Sequence, residues 1–134
     1  MNNKVKTAVN NKVKRVLERI IHFAKAGKLG ASTPYNNSCV YADGHGKYCA
    51  IGCLFTGGAL YILHRDDNLN ADISHLYSEY PHLQNALGLT LAQAEALQTR
   101  HDFTNFNEQQ DRDIYIQELQ HLLKSSGRYL GAQF

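Results

Sequence analysis

The segment from Lys4 to Ala26 places Val5, Val9, Val13, Val16, Leu17, Ile20, Phe23 and Ala24 on one helical stripe. A 3.6-residue period confines these side chains to an arc of roughly 120°, with basic residues over the rest of the circumference. The spacing predicts a long amphipathic helix whose apolar stripe is a core contact, stopped by Gly27. The turn-rich run Gly30-Ala-Ser-Thr-Pro34 follows as a connection, because Pro34 keeps Thr33 out of the helical region.

Charge is divided along the chain. Residues 1–28 hold eight of the fourteen basic residues against one acid, Glu18, and the other 106 residues carry six bases against eleven acids. A basic helix attached to an acidic body is expected. The first apolar residues are interleaved with Lys, Arg and Asn, unlike a secretory leader, and no run approaches the roughly 18 apolar residues of a membrane span. An odd cysteine count without pairs fits reduced thiols. Together these point to a cytoplasmic protein without a membrane partner.

A length of 134 residues and 43% apolar content fit one domain. Its expected class is α+β, predominantly α-helical, over residues 1–134. The basic helix takes 1–28, a short β-hairpin 38–50, and short helices 51–127. The hairpin rests on Ser38–Ala42 and Lys47–Ala50 flanking Asp43-Gly-His-Gly46, a turn whose glycines accept positive φ. Beyond Cys49 a short helix ended by Gly57-Gly58 is expected, then a second through Ala59–His64. Ile73, Leu76, Tyr77 and Tyr80 have helical spacing, and Pro81 opens a turn, His82–Leu87, closed by Gly88. Thr90 with Gln93 three residues on is a capping-box pattern starting a helix that carries Leu91, Ala94, Leu97 and His101. A final helix runs from about Glu108 to Ser126, with Tyr115, Leu119, Leu122 and Leu123 inward.

The three cysteines fall within fifteen positions, Cys39 to Cys53. Cys49, at the start of a helix, would have its thiolate favoured by unpaired N–H groups, and His101 or His45 is a candidate base, with Asp102 beside His101. The alternative is that Cys49 and Cys53, four apart, pack as small apolar groups. A metal site from Cys39, Cys49, Cys53 and a histidine is weakly supported, since nine and then three intervening residues lack the Cys-x2-Cys knuckle. His22, His64, His75, His82 and His121 are scattered, and no metal or cofactor is expected. Asp43-Gly-His-Gly-Lys47 lacks the full phosphate-loop pattern and is explained as a turn.

The residues Tyr41-x5-Lys47-Tyr-Cys-Ala-Ile-Gly-Cys-Leu54, with Leu97-Gln-x2-His101-Asp102 further on, resemble small proteins of phages and prophage-bearing bacteria. These share a Cys-Ala-Ile/Val-Gly-x-Leu signature after a turn and a downstream Asn/His-Asp element. The resemblance covers roughly residues 38–105 and implies a shared scaffold and a phage-like context, without an activity. Phe55-Thr-Gly-Gly58 departs from the more polar, proline-containing turn of that group, and the basic N-terminal helix is an extension to it. On this reading the cysteine-rich corner is a packed hub.

The function expected is that of a small non-enzymatic binding protein that occupies a bacterial host or defence protein and modulates or inhibits it. Candidate partner-binding residues are Lys4, Lys12, Arg15 and Arg19 on the helix and Asp66, Asp67, Asp111 and Asp113 on the body. Eight tyrosines without tryptophan add to that expectation as a supply of contact side chains. Two alternatives stay open. One is a cysteine-nucleophile hydrolase or transferase using Cys49 with His101 or His45. The other is a nucleic-acid-binding protein acting through residues 4–28, with steep salt dependence.

Overall fold

The computed structural model describes residues 3–31 and 40–125, with side chains of the first helix described from Asn11 onward. The side chains of Lys4, Val5 and Val9, and the whole of Ser38 and Cys39, therefore fall outside what is described. Six α-helices make up most of the described chain: α1 (Asn3–Lys25), α2 (Gly57–Arg65), α3 (Ile73–Glu79), α4 (Leu83–Leu87), α5 (Leu91–Asp102) and α6 (Gln109–Lys124). One turn of 3-10 helix, Gly52–Leu54, precedes α2.

Helix α1 buries Val13, Val16, Leu17, Ile20, Ile21 and Ala24, adding Ile21 to the stripe read from the sequence. It lies along α6 and against the 3-10 turn. Tyr115, Leu119 and Leu122 supply the inward face of α6. The helix stops at Gly27, φ 71°, where Lys28 N–H reaches Phe23 O at 2.9 Å and Gly27 N–H reaches Ala24 O at 3.1 Å. Those two bonds close the last carbonyls in the glycine-terminated pattern that a residue with Cβ enters at a cost.

Helices α2, α3 and α5 begin on side-chain caps, whereas α4 and α6 have none. Thr56 accepts from Ala59 N–H, Asp72 from His75 N–H, and Thr90 with Gln93 completes the expected capping box. Gly88, φ 74°, ends α4 as expected. Helix α3 packs on both α4 and α5. Gly57 and Gly58 begin α2, whereas the sequence reading made them the end of a helix. Thr56 overrides their low propensity by capping the first turn.

The hairpin expected over 38–50 is absent from the described residues, so the fold is helical and not α+β. The turn itself forms. Asp43 Oδ1 accepts from His45 N–H at 2.7 Å and Lys47 N–H at 3.1 Å, and Asp43 N–H donates to Lys47 O. Past the turn only one antiparallel bridge, Ala42 with Tyr48, is made. Tyr48 then gives its N–H to Lys28 O at 2.8 Å and accepts from Ala31 N–H at 3.2 Å, bridging Leu29 in parallel. The bridge rests on Asp43 N–H to Lys47 O and Cys49 N–H to Tyr41 O at 3.4 Å, Tyr48 uses its own backbone groups on the opposite edge, and the chain turns at Ile51 into the 3-10 helix before a second pair forms.

Candidate functional site

The cysteine corner is assembled by close backbone approach. A Cβ on Gly52 would lie 1.8 Å from Tyr41 O, so only glycine fits. The close packing expected of Ala50-Ile-Gly52 is thus present. Cys49 and Cys53 are free and buried. Cys49 Sγ accepts from Gly52 N–H at 3.2 Å, and Cys53 Sγ donates to Ala50 O at 3.1 Å. Burial pushes the Cys53 thiol up to about 12, outweighing the opposite pull of Arg19. A thiol in that condition is a packing group, because the thiolate is the reactive form.

His101 is 3% exposed and belongs to the same core. Its Nε2 accepts from Gly30 N–H at 3.2 Å, which assigns the ring proton to Nδ1, 3.1 Å from Asp102 Oδ1. Phe106 stacks on the imidazole at 4.7 Å, and Tyr115 meets both rings edge-on at 6.5 and 5.2 Å. The lone pair that a general base would use is thus engaged by the backbone after α1. His45 sits apart, exposed in the Asp43–Lys47 turn. Tyr115 is fully buried, its hydroxyl has no hydrogen-bond partner among the described residues, and desolvation raises its pKa well above the usual phenol value.

The outward side of α5 forms a different environment. Glu95, Gln98, Thr99 and Asp102 follow i, i+3, i+4, i+7 spacing and wall a cleft of about 400 Å³. Tyr41 and the Asn70–Ile73 stretch form the facing wall. The cleft is braced from both sides. Tyr41 hydroxyl donates to Ala71 O at 2.7 Å and Tyr41 N–H to Leu69 O at 2.9 Å. On the α5 side Gln98 Nε2 donates to Asp102 Oδ1 at 2.9 Å, and Gln98 Oε1 accepts from Ile51 N–H at 3.3 Å. Among the described residues the lining holds three carboxylates, Asp72, Glu95 and Asp102, and no lysine or arginine. Asp72 is held below the usual carboxylate range by His75 N–H first and the Ser74 hydroxyl second.

The sequence reading named Asp102 but missed Asp72, Glu95, Gln98 and Thr99. The signal available was the polar i, i+3, i+4, i+7 row on α5. Among the described residues no group of three or more His, Cys, Asp or Glu is arranged to hold a metal ion.

The charged residues named as partner contacts lie on separate elements. Lys12 and Arg15 are exposed on α1 and make no salt bridge with a described residue. Arg19 is committed inward, its Nε donating to Cys53 O at 2.7 Å and its guanidinium 5.0 Å from the Phe23 ring centroid. Asp66 accepts from Arg65 at 3.0 Å and from the Tyr80 hydroxyl at 2.8 Å. Asp67 takes a left-handed φ of 59° just after α2. Asp111 is half-buried and Asp113 exposed on α6.

The tyrosines differ most from their expected role. Of those described, only Tyr61, 65% exposed, is open to solvent. Tyr41 and Tyr77 are tied to Ala71 O and Leu89 O, Tyr80 to Asp66, and Tyr115 is in the core. No described helix is long and apolar enough to cross a membrane. Comparison with protein-family models, curated proteins and solved structures finds no match.

Proposed function

We propose that this chain is a non-enzymatic binding protein of the phage type suggested by its corner motif, and that it takes a lysine- or arginine-bearing segment of a bacterial host protein into the acidic cleft beside α5. The observation that carries this reading is the cleft's lining: Asp72, Glu95 and Asp102 around about 400 Å³, with no basic side chain among the described lining residues. Carboxylates on braced walls lose little freedom when a cation arrives, so more of the interaction energy is retained as affinity. A guanidinium suits paired carboxylates because its fork bonds two oxygens at once. Burial of both described thiols and engagement of His101 Nε2 support a binding role over thiol catalysis.

The test is calorimetric titration of the full chain with short arginine-bearing peptides and sequence-matched citrulline controls. Arginine peptides are expected to bind and the controls to fail. Glu95→Gln with Asp72→Asn is expected to weaken binding about tenfold, and the remaining affinity to fall with salt. Equal binding of both peptide sets would overturn the reading. A second reading, nucleic-acid binding through α1, is favoured by exposed Lys12 and Arg15 alone. Its signature is an oligonucleotide affinity lost in Lys12→Glu with Arg15→Glu and indifferent to Glu95→Gln.

A further inference from the structure

The cleft beside α5 has a charge pattern as well as a charge. Its α5 wall runs acid, neutral, neutral, acid: Glu95, Gln98, Thr99 and Asp102. We propose that the occupant is a dibasic segment in which two residues separate two arginines, Arg-x-x-Arg, each guanidinium taken by a different carboxylate of α5. This rests on the cation-binding role of the cleft and adds the spacing that the partner must carry.

Two cations are required because the two carboxylates do not share one. Glu95 and Asp102 are seven residues apart on α5, which separates them by roughly 10 Å along the helix axis. A guanidinium fork matches the two oxygens of a single carboxylate and does not span that gap. In keeping with this, no three acidic, histidine or cysteine side chains among the described residues gather around a point that one metal ion could occupy. The middle of the wall is neutral and braced. Gln98 gives its Nε2 to Asp102 Oδ1 at 2.9 Å, and its Oε1 accepts from Ile51 N–H at 3.3 Å.

Both acids can receive a cation. Asp102 Oδ1 is held by Gln98 and lies 3.1 Å from His101 Nδ1, and Oδ2 takes no bond from a described residue. Glu95 is exposed and makes no salt bridge with a described residue. On the facing wall Asp72 Oδ1 takes the Ser74 hydroxyl and His75 N–H, both at 2.9 Å, and its carboxylate adds a third negative charge to the cleft.

The partner's spacing follows from backbone geometry. A polyproline II segment has three residues per turn and rises about 3.1 Å per residue, so side chains at i and i+3 share a face about 9 Å apart. A strand brings i and i+2 to one face at only about 7 Å, short of the α5 separation. Adjacent arginines on a polyproline II backbone point in different directions. The polyproline II form also arrives with little conformational freedom to lose.

The experiment is a calorimetric titration of the full chain with four peptides of equal length: one carrying Arg-Pro-Pro-Arg, the two in which one of those arginines is citrulline, and one carrying Arg-Arg-Pro-Pro. The spaced dibasic peptide is expected to bind at least about tenfold tighter than either citrulline peptide, and at least about fivefold tighter than the adjacent pair. Glu95→Gln and Asp102→Asn are each expected to erase that advantage while single-arginine peptides stay within about threefold of their affinity for the parent. Asparagine keeps an oxygen for the bonds from Gln98 and His101, and Glu95→Gln, on an exposed position, reads the same effect alone if Asp102→Asn fails to fold. Equal affinity for dibasic and single-arginine peptides, an adjacent pair that binds as tightly as the spaced one, or an advantage that survives in a folded variant would overturn the dibasic inference and leave the single-cation reading standing. Absence of binding by every arginine peptide would overturn both.

Discussion

Helix α5 carries polar residues to two opposite fates. Inward, His101 is sealed beneath Phe106 and Tyr115 with both ring nitrogens engaged. Outward and one residue later, Asp102 joins Glu95, Gln98 and Thr99 on an open cleft. The contrast teaches where function can reside. The corner holds the residue types of a reaction centre, yet each is consumed in holding backbone together. The cleft holds unremarkable residue types, yet its three carboxylates face an open volume with no lysine or arginine among the described lining residues.

The sharpest way to break this contrast is at Gly52. Gly52→Ala forces a Cβ to within 1.8 Å of Tyr41 O; the Cβ position is fixed by the backbone and the oxygen belongs to it, so no rotamer change relieves the clash. A loss of at least about 3 kcal/mol, or failure to fold, is expected in urea denaturation. An alanine tolerated at under about 1 kcal/mol would mean that the corner is not the rigid hub described.

His101→Phe comes next. It keeps an aromatic ring beside Phe106 and removes the acceptor for Gly30 N–H. A cost of about 1–3 kcal/mol is expected from the orphaned donor, while Asp102 loses its His101 Nδ1 partner and stays in the cleft as a carboxylate. Tyr115→Phe should act in the opposite direction. Its hydroxyl is buried without a partner among the described residues, so removal is expected to stabilise by about 1 kcal/mol. A destabilised Tyr115→Phe protein would show that the hydroxyl is bonded in solution.

Cleft substitutions are expected to have the smallest effect on stability. Glu95→Gln should change it by less than about 0.5 kcal/mol while weakening cation binding. At Asp72 the sign is set by its depressed pKa. The charged form is favoured by folding, so its contribution is present above the unfolded carboxyl range, about 3.9, and is lost as pH falls through the lower folded value. Asp72→Asn keeps the cap and should differ from the parent at neutral pH but converge with it in acid, as read by thermal midpoints across that range.

Much of the helical frame was legible in the sequence because its determinants are local. Thr90 with Gln93, Gly88 after Leu87, and Gly27 after α1 act within a few residues of themselves. The hairpin was misread because the paired run ends at Cys49, whose carbonyl already accepts from Cys53 N–H as the chain turns into the 3-10 helix. Gly57-Gly58 was misread because propensity was weighed without the Thr56 cap. A tyrosine's sequence context does not say whether a distant carbonyl holds its hydroxyl, as Ala71 O holds Tyr41 and Leu89 O holds Tyr77. The cleft was missed for the same reason: Asp72 and Glu95 are 23 positions apart and meet only through the packing of α3 on α5.

The most direct test of the account is backbone amide NMR mapping of an arginine-bearing peptide titrated onto the full chain. The account predicts saturable shifts at residues 70–73 and 95–102, with amides 12–19 of α1 unchanged. Shifts centred on residues 12–19, or no saturable shifts at the cleft, would contradict it.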